Sequence, residues 1–167
     1  IAIVFLFRYV FKQSKGSKEM QDISNAIKDG AMAFLNRQYK TIALIAVIAL
    51  VIIAAAVYFG SIAKGSSQAL IVAVHTAIAF IIGAFCSALS GYIGMYMSVN
   101  SNIRAAEGAK TGLDKALQLS FKGGAVTGLS VTTLSLLGVS TLFLVFGGAS
   151  GNDALIKEAP SLIIDFG

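Results

Sequence analysis

The polar stretch "GAMAFLNRQYKT" (Gly30–Thr41) runs directly into "IALIAVIALVIIAAAVYF" (Ile42–Phe59), an uncharged apolar run of 18 residues. As a helix, 18 residues rise about 27 Å, close to the roughly 30 Å hydrocarbon core of a bilayer. Arg37 and Lys40 at its mouth form a basic collar of the kind that borders a membrane crossing. Composition agrees. The chain of 167 residues is 56% hydrophobic and 13% charged, with one proline and no tryptophan, and its mean hydropathy is +0.81. Soluble domains carry about a quarter charged residues.

Two further apolar stretches follow. Residues 69–99 carry no Asp, Glu, Lys or Arg, and residues 119–148 are interrupted only by Lys122. Both exceed one bilayer crossing, so surplus turns are expected to project past the lipid or the helices to tilt. The opening "IAIVFLFRYVF" (Ile1–Phe11) reads as a further span cut short; it lacks the basic start and the small-residue cleavage site of a signal peptide. Pro160 in "PSLIIDFG" (160–167) suits the first position of another helix. The expected fold is an all-α, multi-pass transmembrane helical bundle, a piece of a larger membrane domain. It has three complete spans and two partial ones: about 1–12, 42–60, 69–99 and 118–147, with a further helix starting from about 160.

Lysine and arginine set the expected orientation. Seven fall within residues 8–41 and four within 100–122, against Lys64 in 60–68 and Lys157 in 147–167. By the positive-inside rule, loops 8–41 and 100–118 are expected in the cytoplasm. The net charge of +5 is mostly this signal and does not call for nucleic acid. Met20, Ile23, Ile27, Ala31, Phe34 and Leu35 recur at helical steps among charged residues, which predicts an amphipathic helix over about 18–38, lying along the interface or packed under a neighbour.

Small residues recur every four positions, as in Gly83/Ser87/Gly91, Ser90/Gly94/Ser98 and Ser120/Gly124/Gly128/Thr132. Because lipid supplies no hydrophobic drive between helices, such stripes are where backbones approach closely, and the GxxxG at Gly124–Gly128 predicts a tight neighbour. Residues with chemistry are few. Cys86, the single cysteine, reads as a packing residue; His75, an intramembrane ionisable group, reads as structural, with a proton relay as its rival. Glu107 and Asp114 read as solvated loop residues. No phosphate-cradling loop and no paired catalytic carboxylates are visible, so no catalytic, cofactor-binding or metal residue is assigned.

Three stretches go further: "ISNAIKDGAMAFLNRQYKTI" (Ile23–Ile42), "SALSGYIGMYMSVNSNIRAAEGAK" (Ser87–Lys110) and "ALQLSFKGGAVTGLSV" (Ala116–Val131). In this order and spacing they resemble the membrane-integral, ion-pumping inorganic pyrophosphatases, and the resemblance covers nearly the whole chain. It implies a homodimer of about sixteen helices per subunit in two concentric rings, with this chain supplying outer-ring scaffold helices. It also implies hydrolysis of inorganic diphosphate coupled to proton or sodium transport across a membrane, in a prokaryotic cell membrane. Mg2+ is the implied cofactor, held by residues outside this sequence, and a K+ requirement stays open. Arg104 falls in a family motif but not at a catalytic position. The implied partners are diphosphate, the lipid bilayer and the remaining helices of the same protein. The segment alone is expected to be inactive. The other reading is a non-catalytic membrane subunit or transporter scaffold with no pyrophosphatase activity.

Overall fold

The computed structural model describes residues 2–65 and 67–148. Among them the chain is all-α: α1 (Ala2–Phe11), α2 (Lys18–Ala63), α3 (Ala69–Ala109) and α4 (Leu113–Phe143), the last continuing into one π-helical segment, Leu144–Gly148. Three of these helices are long and apolar enough to cross a membrane. The helix expected from about 160 lies outside the described residues.

Local chemistry explains the breaks. After α1, Gly16 adopts a left-handed φ of +76° that other residues resist. Ser17 then caps α2, its hydroxyl accepting from the Met20 N–H at 3.4 Å. At the far end of α2, Gly65 turns the chain with φ +73°, its N–H donating to the Ile62 carbonyl at 2.9 Å. Between α3 and α4, the Gly108 carbonyl accepts from the Thr111 hydroxyl at 2.7 Å and from the Gly112 N–H at 3.2 Å. That leaves a connection of only three residues, Lys110–Gly112.

Two expectations change here. The amphipathic stretch and the apolar run are one unbroken helix of 46 residues, about 69 Å long. Its inward side carries Ser24, Lys28, Leu35 and Tyr39, whereas Ile23, Ile27 and Phe34 stay 57–63% exposed. The expected loop at 100–118 is largely helix. Arg104 and Glu107 sit in the last turns of α3, because "IRAAEGA" is rich in good helix formers until glycine intervenes.

The helices contribute to two compact units. The first holds residues up to Tyr39 together with Leu89–Thr133; the second holds Lys40–Ala88 and α4 from Leu134 onward. In the first, Val10, Met97 and Val126 are wholly buried where α1, α3 and α4 meet, and Ile3, Leu6, Phe7 and Phe11 pack around them. In the second, Ala79, Leu142 and Phe146 form the core, flanked by Ile82 and Phe143. His75 stacks on Phe146 with ring centroids 4.7 Å apart, an aromatic packing arrangement.

The tight approach between α3 and α4 is not where the GxxxG pattern puts it. Gly124 and Gly128 have open space where a side chain would stand, and Ser120 and Thr132 share their exposed face. The closely packed glycines are Gly123, against Ser101, and Gly94, where an added Cβ would come within 2.8 Å of the Thr127 methyl. Hydroxyls on these faces bond back to their own helix. The Ser130 hydroxyl donates to the Val126 carbonyl at 2.7 Å and the Thr132 hydroxyl to the Gly128 carbonyl at 3.0 Å. A polar group in an apolar setting is thereby satisfied without a partner helix.

Candidate functional site: the charged end of the helices

Charged side chains of the first unit gather where α1 ends, α2 begins and α3 passes into α4. Arg104 lies at the centre of this region. It is 2% exposed, an unusual burial for a guanidinium. α3 presents it toward α1, where its guanidinium carbon stands 4.6 Å from the centre of the Phe11 ring. One Nη donates to the Asn100 carbonyl one turn earlier at 2.6 Å, while Nε has no hydrogen-bond partner among the described residues. Burial pushes its pKa below the ordinary arginine value, and the nearby Tyr96 hydroxyl partly opposes the shift. Tyr96 itself stacks on Phe11 at 6.2 Å. The cation thus rests on the Phe11 ring, and among the described residues no carboxylate pairs with it.

One turn further along α3, Glu107 pairs with Lys110 at 2.6 Å. Its carboxylate also lies against Gly16, where a Cβ would collide with it, and Met20 closes the same space. The linker after α1 is therefore pinned to the end of α3 by a glycine-sized gap. Exposed ion pairs contribute little by themselves; Glu107 matters here through shape as well as charge. On the other flank, the Lys122 ammonium sits 3.4 Å from the centroid of the Tyr9 ring. A charge interrupting an apolar run is thereby given an aromatic partner.

Sequence reasoning placed Arg104 in the right motif but in a loop, and it took Glu107 for a solvated residue. The partners Phe11, Tyr9, Gly16 and Met20 escaped it, since nothing in linear spacing links residues so far apart in the chain. His75 and Cys86 both belong to the second unit, so neither joins this charged region.

Chemically, the region can hold helices in register and can offer positive charge. No three of the described His, Cys, Asp and Glu side chains come together as a metal-binding group.

Comparison with known proteins supplies what the geometry cannot. Residues 1–167 match the family described as inorganic H+ pyrophosphatase. The chain is 66% identical over 167 residues to the K(+)-insensitive pyrophosphate-energized proton pump of Caldanaerobacter subterraneus, covering all of this chain and 24% of that protein. It is 51% identical to K(+)-insensitive pyrophosphate-energized proton pump 2 of Moorella thermoacetica, covering 22% of it. It is 41% identical over 145 residues to the corresponding pump of Methanosarcina mazei, 87% of this chain and 20% of that protein. The chain therefore spans between a fifth and a quarter of the length of these relatives. No solved structure matches it.

Proposed function

From the membership of this chain in the inorganic H+ pyrophosphatase family, we propose that it is the scaffold-forming part of a larger membrane pump that hydrolyses diphosphate and moves protons across the membrane. The observation that carries this reading is the 66% identity, over the whole chain, to a protein named as a pyrophosphate-energized proton pump. The names of these relatives favour protons as the transported ion and favour independence from potassium. Catalytic carboxylates and magnesium ligands are assigned to helices outside this segment, which by itself hydrolyses nothing.

In this reading the charged end of the helices faces the cytoplasm of a prokaryotic cell. The excess of Lys and Arg in residues 8–41 and 100–122 supports that side. The helices also reach well beyond the lipid: α3, at 41 residues, is about 61 Å long against a hydrocarbon core of roughly 30 Å. The outward-facing surfaces of α2 and α4 are then covered by lipid, by other helices of the same protein or by its partner in a homodimer.

The test uses the full-length protein in inverted vesicles. Added diphosphate with magnesium should acidify the lumen, a protonophore should abolish the gradient, and sodium or potassium should make no difference. Hydrolysis without acidification, or acidification that requires sodium, overturns the reading.

A further inference from the structure

A small cavity of about 100 Å³ opens in the first unit, between the first turns of α2, the linker before it and the end of α3. Its walls include Lys15 and Lys28, the hydroxyl-bearing Ser24 and the amide side chains of Gln21, Asn25 and Asn100. No carboxylate lines it. Among the described residues neither lysine has an ion-pair partner, and Lys28 has only the face of Tyr96, 5.5 Å away. Two of the amides are already committed. The Gln21 amide donates to the Gly16 carbonyl at 3.0 Å and the Asn100 amide to the Tyr96 carbonyl at 2.8 Å. These bonds fix the rim to the backbone, while the two ammonium groups, the Ser24 hydroxyl and the Asn25 amide remain as donors.

We propose that this cavity is a binding site for a phosphate-type anion. Two lysines lining one polar space that no carboxylate lines favour an anion there. A tetrahedral phosphoryl group offers several acceptor oxygens and up to two negative charges, whereas a carboxylate would leave one lysine uncompensated. Lysine binds phosphate as a point charge, without the planar fork that carboxylate recognition favours. The space is about that of three waters at roughly 30 Å³ each, which suits a single phosphoryl group.

Two sources share this chemistry: free inorganic phosphate and the phosphodiester of an anionic lipid. Helix rise favours the free anion. Lys28 precedes Ile42, where the apolar run of α2 begins, by 14 residues, about 21 Å along the helix. The headgroup layer on one side of a bilayer is only about 5–8 Å thick. The cavity therefore sits beyond ordinary headgroup depth, in reach of solution phosphate. The proposal does not depend on the pump reading.

The experiment is residue-resolved reductive methylation of the full-length protein in nanodiscs, read by peptide mass spectrometry. It compares phosphatidylcholine discs with and without added inorganic phosphate, and phosphate-free discs containing phosphatidylglycerol. Phosphate at five times its Kd should slow methylation of Lys15 and Lys28 by roughly sixfold, since the free fraction falls as 1 + [L]/Kd, with Lys64 unchanged. In Lys28→Gln, protection of Lys15 should disappear, and in Lys15→Gln, protection of Lys28 should disappear. That mutual dependence separates a shared site from a distant effect of phosphate at a catalytic centre. Protection by phosphatidylglycerol alone assigns the site to a lipid phosphodiester. Absence of protection in every arm, equal protection of Lys64, or protection of Lys15 that survives Lys28→Gln overturns the proposal. Loss of diphosphate-driven pumping, by contrast, bears only on the function proposed above.

Discussion

Substituting Gly123 by alanine should reverse its effect on stability according to what stands at position 101. A Cβ built on Gly123 lies 2.8 Å from the Ser101 Cβ and against its Oγ. Carbon atoms pack best at about 3.5–4.0 Å, so the helices must part by about 1 Å or carry the overlap. The obstructing atom is bonded directly to backbone and cannot swing aside. Overpacking of this kind costs about 1–3 kcal/mol. Alanine returns about 1 kcal/mol through helix propensity, so Gly123→Ala in the parent should lose up to about 2 kcal/mol. In a Ser101→Gly background the obstruction is gone, and the same substitution should stabilise by about 1 kcal/mol. The two effects differ by a coupling energy of about 1–3 kcal/mol, measurable as a double-mutant cycle from reversible denaturant unfolding of the full-length protein in detergent. Gly128→Ala, which faces open space within this chain, should show no dependence on residue 101. An identical Gly123→Ala effect in both backgrounds would refute the close approach of α3 and α4 at this point.

Two other outcomes are expected. Arg104→Lys keeps the charge but loses the flat contact with Phe11 and the short bond to the Asn100 carbonyl; it should destabilise the protein by about 1.5–3 kcal/mol, and stability equal to the parent would show that charge alone is what the site needs. For orientation, cysteines at Asn102 and Ser67, both exposed, placed in a Cys86→Ala background, should react with an impermeant thiol reagent from opposite sides; cytoplasmic labelling at position 67 but not 102 would invert the proposed topology.

Fold class was legible because it is a matter of solvent. Long uncharged runs such as Ile42–Phe59 have few options but to cross lipid as helices, since a backbone in hydrocarbon must satisfy its own hydrogen bonds. Family was legible for another reason: three long motifs keep their order and spacing over the chain, and the match extends over residues 1–167. Neither inference depends on which helix faces which.

Facing is where linear reading stopped. Gly123 and Gly124 are neighbours in sequence, yet successive residues on a helix differ in direction by about 100°. Only the position of α3 makes Gly123 the packed one and leaves the more conspicuous Gly124–Gly128 pair outward. The same holds at the charged end. Composition placed Arg104 and Glu107 in a solvated loop because charged residues usually are solvated. In the fold, α3 runs on to Ala109 and α1 supplies Phe11 nearby, so the arginine is buried. The apolar stripe Ile23/Ile27/Phe34 points the other way, outward. Periodicity identifies that a helix has two faces. Which face is inside depends on contacts between residues far apart in the chain, and those exist only once the helices are assembled.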